Sequence, residues 1–295
     1  MDAGPTPSVS VGMPVYNGAA WVEASVRSIL EQTYTDFELI ISDNASSDAT
    51  AEICQRLADT DRRVRFIQQE TNVGANRNYL CVQRAARGRY FKWASANDIC
   101  RPTFIERCVA ALEADPGAIL ASPLVMVFED DPASAKIYDH GLSLLHDSPG
   151  QRLHDYFNSR GLNNAFNGII RRDVLNACRP LGVYRAADIV LMAELALRGK
   201  FLEPPERLFL RRISPDAATT YRSTREADLH LVATTRTPLR YQHWIYHANL
   251  LRAAVRAVPL GPEWLRGVDF ALRSILWSRR DLAADIREVL TGRSA

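Results

Sequence analysis

The sequence predicts an α/β fold: a mostly parallel, doubly wound, Rossmann-like sheet followed by a helical C-terminal extension. Three observations carry that expectation. Strand-like and helix-like segments alternate from Val9 to Ala114. One strand segment, Phe37–Ile41, is a nearly unbroken apolar run, as expected for a strand covered on both faces. Residues 236–295 then change composition and read as helices.

The elements follow in order. Residues 1–8, with Pro5 and Pro7, read as a flexible tail, and Val9–Met13 as the first strand. Trp21, Val22, Val26, Ile29 and Leu30 recur at helical spacing, which predicts an amphipathic helix ending near Gln32. After the strand Phe37–Ile41, Asp43-Asn44-Ala45-Ser46-Ser47-Asp48 is rich in turn and helix-capping residues, and a helix through Ile53, Cys54 and Leu57 follows. Val64–Ile67 is a strand, Gly74–Ala86 a helix, Tyr90–Ala94 a strand and Thr103–Ala114 a helix. Beyond Ile119 the pattern loosens. A strand is expected near Pro123–Phe128, before the acidic turn Glu129-Asp130-Asp131, and helices near Gln151–Ser159 and Ile189–Leu197. A main domain over residues 9–235 and a helical extension over 236–295 result.

Composition bounds the function. Hydrophobic residues make up 47% and charged residues 24%, as in ordinary globular chains. A net charge of +2 gives no sign of nucleic acid as a partner. Five cysteines (Cys54, Cys81, Cys100, Cys108, Cys178) lack metal-binding spacing and read as free core thiols, which points to a reducing, cytoplasmic compartment. No basic segment followed by an apolar run opens the chain, and no apolar stretch approaches the roughly 20 residues that span a bilayer. There is no G-x-G-x-x-G after the first strand, no P-loop and no G-x-S-x-G elbow, which disfavours dinucleotide oxidoreductases, P-loop NTPases and α/β-hydrolases. His243 and His247 lie four apart but lack a third ligand, so a polar helix stripe is expected there rather than zinc.

Chemistry concentrates where strands end, the rim at which α/β folds bind ligands. Tyr90–Ala94 runs out into Ser95-Ala96-Asn97-Asp98, and a carboxylate placed there can hold a hard divalent cation against a diphosphate. Tyr16, just after the first strand, is placed to stack on a base, and Asp43 to accept a ring N–H, though it also suits a cap before the next helix. Arg77 sits just inside a helix start, where unpaired N–H groups attract anions.

Five segments in one order resemble the family 2 glycosyltransferases of the GT-A fold: Val11–Gly18, Ser28–Asp48, Asn72–Asn78, Trp93–Asp98 and Ala187–Gly199. The resemblance covers roughly residues 8 to 215. It implies an inverting transfer of a sugar from a nucleoside diphosphate sugar, such as a UDP-sugar, to a hydroxyl acceptor on a saccharide or lipid-linked carrier, in bacterial polysaccharide or glycolipid assembly. It assigns nucleotide binding to Pro14, Tyr16, Asp43, Asn44, Arg77 and Asn97, the metal to Asp98, and the catalytic base to Asp188. The chain departs from the family at Ala96 and Ser214, where metal ligands are usual, and at Ala187, which precedes the base in place of glutamate. Mg²⁺ or Mn²⁺ is therefore expected to bind weakly without nucleotide, and Arg77, Arg211 or Arg212 are the alternative neutralisers of the diphosphate. Glu194 is expected to lie on the helix surface or to support the site.

Two other readings stay open. One is a catalytically degenerate nucleotide-sugar-binding or scaffold protein. The other is a nucleotidyltransferase, although Pro14–Gly18 lacks the basic, Gly-rich phosphate loop it would need. Residues 236–295 hold ten arginines, no lysine and five acidic residues, interleaved with Trp244, Tyr246, Trp264, Phe270 and Trp277. That mixture suits peripheral contact with the inner face of the cell membrane, a homo-oligomer interface, or packing on the main domain.

Overall fold

A computed structural model describes residues 6–213, 228, 231–232 and 239–291 of the protein. Its centre is a seven-stranded sheet built from β1 (Val9–Val15), β2 (Phe37–Asp43), β3 (Val64–Gln68), β4 (Tyr90–Trp93), β6 (Ala118–Ala121), β9 (Ile169–Arg171) and β10 (Lys200–Leu202), in the order β10-β6-β9-β4-β1-β2-β3. Only β9 runs antiparallel to its neighbours. A second sheet, in the order β5-β11-β7-β8, joins β5 (Ile99–Cys100), β7 (Leu124–Phe128), β8 (Lys136–Ile137) and β11 (Arg207–Arg212).

Residues of β1 and β2 are buried along their whole length, because helices cover both faces of the sheet. On one face lie α1 (Val22–Leu30), α2 (Thr50–Thr60) and α4 (Phe104–Ala114). Val22, Val26 and Ile29 of α1 point inward at the spacing of one helical stripe. The other face carries α3 (Ala75–Ala85), α5 (Pro149–Ser159) and α7 (Ala187–Arg198), with the short α6 (Arg172–Ala177) after β9. Core residues of α8 (Gln242–Ala257) and α9 (Pro262–Trp277), namely Leu250, Ala253, Ala254 and Ala271, belong to the same apolar cluster as Leu191 and Leu195 of α7. The extension thus packs on the main domain through α7 and α5, and α10 (Arg279–Thr291) closes over α8. His243 of α8 bonds Asp285 of α10 at 2.8 Å, and buried His247 bonds Ser274 of α9 at 3.0 Å, so this polar pair joins α8 to the two helices that follow it.

One polar knot braces the amino-terminal edge of the sheet. Buried Glu38 accepts the Ser10 hydroxyl at 2.7 Å, the Arg87 N–H at 3.0 Å and guanidinium bonds from Arg65 and Arg87. Ser10 in turn accepts the Gly88 N–H at 2.8 Å, which ties the turn before β4 to β1. Burial pushes the Glu38 carboxyl up, and the bonds from Arg65, Ser10 and Arg87 more than offset it, leaving the group below its ordinary range.

Candidate active site at the rim of the sheet

β1, β2 and β4 are parallel neighbours, and the pairs Val15↔Asp43 and Gly12↔Trp93 bring their carboxyl ends to one rim. The loops leaving that rim are laced together. Asn17 donates its N–H to Ser46 Oγ at 2.8 Å and accepts the Ser47 N–H at 2.9 Å, while Gly18 N–H reaches Thr50 Oγ1 at 2.8 Å. Tyr16 is left projecting, 49% exposed, beside this scaffold. Pro14 lies buried within β1 beneath it.

Asp43 ends β2 and is fully buried. Its carboxylate accepts the Ser46 N–H at 3.1 Å and the Ser46 hydroxyl, so it shapes the turn into α2, and each oxygen keeps a second lone pair. Asn44 commits its amide to Asn72 at 2.8 Å and to the Val73 N–H at 2.9 Å, fastening this turn to the one before α3. Gly74 caps α3 at φ 86°, and a Cβ there would stand 2.2 Å from the Leu231 carbonyl oxygen, so the segment at 231–232 lies directly against it. Arg77, on the first turn of α3, is exposed and makes no hydrogen bond to a described residue.

The β4 exit carries Asp98. Its Oδ1 accepts the Arg212 N–H at 2.8 Å, and the residue is 7% exposed. Burial pushes its carboxyl above the ordinary range, against the Arg212 N–H, the Arg211 charge, the Ser95 hydroxyl and the Lys92 charge. Lys92 is buried under the loop, donating to the carbonyls of Trp93 and Asn167 with its ammonium 4.4 Å from the Phe104 ring centre. Asn97 is half-buried and accepts Arg212 Nε at 3.4 Å through its carbonyl. Ala96 lies 3.9 Å from where a Cβ on Gly18 would be, so the loop after β4 touches the loop after β1.

The two arginines of β11 part company. Arg212 donates to the carbonyls of Glu129 and Asp130, and its guanidinium lies between the rings of Trp21 at 3.7 Å and Phe128 at 4.6 Å, which commits it to holding loops. Arg211 reaches the Leu162 carbonyl and Asn164 Oδ1, both at 2.6 Å, and its charge acts on Asp98. Ser214 lies outside the described residues.

Asp188 enters from the other side, on the first turn of α7. The capping position is Ala186, at φ 57°, and no side chain caps the helix. Asp188 therefore does not cap. Its Oδ2 accepts Asn163 Nδ2 at 2.8 Å, and its Oδ1 has no hydrogen bond to a described residue. Tyr79 of α3 feels both carboxylates: burial and the charges of Asp98 and Asp188 push its phenol up to about 12. Asp98 and Asp188 thus both lie within electrostatic reach of Tyr79, as does Arg211. Glu194, expected on the helix surface or in support of the site, is buried, bonding Arg198 at 2.8 Å and the Arg179 N–H at 3.2 Å.

Sequence reasoning missed Tyr79, Ser95, Lys92 and the asparagines 163, 164 and 167. The signals were present but faint: three asparagines within Asn163–Asn167, and one of only three lysines inside a strand otherwise apolar.

Among the described residues, no three His, Cys, Asp or Glu side chains converge to hold a metal ion. Asp98 supplies one carboxylate, and Ala96 supplies no donor. Such a set fits Mg²⁺ or Mn²⁺ only where a ligand brings its own oxygens, as a diphosphate does.

A mostly parallel sheet with carboxylates gathered at its carboxyl rim, a small second sheet beneath and helices following it defines a GT-A-like fold. The chain belongs to glycosyl transferase family 2, whose sequence profile matches residues 10–179. Among curated relatives, the glycosyltransferase GlyG of Streptococcus pneumoniae is 35% identical over 98 residues, 33% of each chain. Chondroitin synthase of Escherichia coli is 35% identical over 109 residues, 37% of this chain and 16% of that one. The match spans about a third of the length of the first curated relatives. Among solved structures, S. aureus TarS 1–349 in complex with UDP-GlcNAc superposes with a TM-score of 0.64 at 15% identity, over 92% of this chain and 74% of that one.

Proposed function

We propose that this protein transfers a sugar from a nucleoside diphosphate sugar to a hydroxyl acceptor with inversion at the anomeric carbon, in polysaccharide or glycolipid assembly. The observation that carries the reading is Asp188: a carboxylate with one oxygen held by Asn163 and the other without a hydrogen bond to a described residue, within electrostatic reach of the same tyrosine, Tyr79, as Asp98. Chondroitin synthase and the TarS complex support the substrate class.

In this reading Asp188 Oδ1 takes the proton of the acceptor hydroxyl as its oxygen attacks the anomeric carbon from the face opposite the diphosphate. The bond to the diphosphate breaks, and nucleoside diphosphate leaves with the electron pair. Tyr16 and Asp43 bind the base, Pro14, Asn44 and Asn97 shape its pocket, and Arg77 approaches the phosphates from the α3 start. Arg211 adds positive charge beside Asp98. Asp98 would hold Mg²⁺ or Mn²⁺, which when bound neutralises charge on the leaving group. Five free cysteines support a cytoplasmic setting. No described helix is long and apolar enough to cross a membrane.

Release of nucleoside diphosphate from a panel of UDP-, GDP- and dTDP-sugars, with and without Mn²⁺, tests the proposal. Slow, Mn²⁺-stimulated release from at least one donor is expected. Saturable nucleotide binding with no release from any donor would instead favour a degenerate binding protein, the reading that Ala96 favours.

A further inference from the structure

The geometry points to Asn163 as a positioning residue that keeps Asp188 aimed, with the Tyr156 hydroxyl holding the Asn163 amide oxygen on its far side. This rests on the reading of Asp188 as the base. Asn163 Nδ2 donates to Asp188 Oδ2 at 2.8 Å, and Asn163 Oδ1 accepts the Tyr156 hydroxyl at 2.9 Å. An ionised carboxylate only accepts, so the amide must turn its NH₂ toward Asp188 and its oxygen toward Tyr156. The reverse orientation would press the amide oxygen against the carboxylate.

The backbone supports the same arrangement. Asn163 sits at φ 56° and ψ 37°, a left-handed conformation that asparagine tolerates better than most residues. Its N–H bonds the Arg160 carbonyl at 2.7 Å, and its carbonyl accepts the Phe166 N–H at 3.1 Å. Asn163 is 8% exposed and Tyr156 is fully buried, so water competes little for either bond. With Oδ2 bonded to Asn163, Oδ1 is the oxygen without a hydrogen bond to a described residue.

The groups facing Asp188 do not blur this assignment. Tyr79 from α3, Tyr156 from α5, Tyr184 from the loop before α7 and Tyr246 from α8 all feel its charge, and burial leads in pushing every one of these phenols up. All four stay protonated at neutral pH. Arg160 acts on Tyr156 and Tyr246, and Arg211 acts on Tyr79, as does Asp98.

The test follows the Asp188 carboxyl by carbon-13 NMR in aspartate-labelled protein, its signal identified by loss in Asp188→Asn. Asn163→Gly keeps the left-handed backbone and removes the amide; Asn163→Asp keeps the shape and adds a like charge. The titration midpoint of Asp188 is expected to rise by about one pH unit in the first and further in the second. Tyr156→Phe, which preserves volume, should produce a smaller rise and decides the matter if Asn163→Gly does not fold. With UDP-GlcNAc as donor, the acidic limb of the hydrolysis rate should move by the same amount at unchanged KM. A midpoint that stays put in the folded variants overturns the proposal. If Asp188→Asn hydrolyses donor at the normal rate, the base assignment falls, while the NMR titration still reports whether Asn163 holds the carboxylate.

Discussion

Replacing Asp188 by asparagine removes one charge and the proton-accepting oxygen while leaving side-chain volume almost unchanged. Asn163 keeps a partner, because the new amide carbonyl can accept its Nδ2 as Oδ2 does at 2.8 Å. The residue is half-buried, and no side chain caps α7, so the helix start loses no cap. Stability should therefore change by no more than about 1 kcal/mol, mostly through the lost interaction of a carboxylate with the helix dipole. Catalysis should suffer far more. A positioned general base accounts for about 10²–10⁴ in rate, which is roughly 3–5 kcal/mol of barrier. Nucleoside diphosphate release measures the rate, and calorimetric titration measures nucleotide affinity on the same samples. A fall of at least about a hundredfold in rate at unchanged affinity is expected. A rate within twofold of the parent, with normal thermal unfolding, would refute the assignment.

Glu38→Gln should cost about 3 kcal/mol, since it uncharges a buried hub that binds two guanidinium groups, and urea unfolding at neutral pH measures the loss. Because the folded carboxyl titrates below its ordinary value, the stability it contributes is complete above about pH 4.3 and fades as pH falls through the folded value; the variant should show a flatter acid-unfolding curve, and an unchanged one would count against the hub. Gly74→Ala forces a Cβ onto the Leu231 carbonyl at φ 86° and should cost at least about 1–3 kcal/mol from backbone strain alone, read as a lower Tm; an unaltered Tm would mean the 231–232 segment does not press there. Ala96→Asp adds a second carboxylate beside Asp98 and should lower the Mn²⁺ concentration that half-saturates nucleoside diphosphate binding by about tenfold, measured calorimetrically. No change would argue that the protein does not use a cation at Asp98.

Much of the architecture was legible because β1 to α4 are long, strongly patterned elements whose periods differ. Phe37–Ile41 announces a strand covered on both faces, and Val22, Val26 and Ile29 a helix with one inward stripe. Legibility fails where elements are short. β9, β10 and β5 hold three, three and two residues, too few for any period to show, and β9 reverses direction. In the second sheet β5 and β8 hold two residues each, β7 lies near the expected Pro123–Phe128 strand, and the six-residue β11 falls beyond Ile119, where the pattern loosens. At the site, Tyr16, Asp43, Asp98 and Asp188 stood out because each follows a strand or opens a helix. The side chains that join them did not. Asn163 bonds a residue 25 positions away and Arg212 one 114 positions away, and nothing local in the chain encodes such pairings.

The helices after residue 239 have a further bearing on the chemistry. Gln242 of α8 accepts the Arg185 N–H at 3.0 Å, just before the turn that launches α7. Leu250 and Ala254 of the same helix press on the α7 body. The helix start that carries Asp188 is thus moulded by a part of the polypeptide that the family profile, ending at 179, does not reach. Grafting the front half of this chain onto a different tail would carry over the loops of Asp43 and Asp98 yet leave Asp188 without a fixed footing.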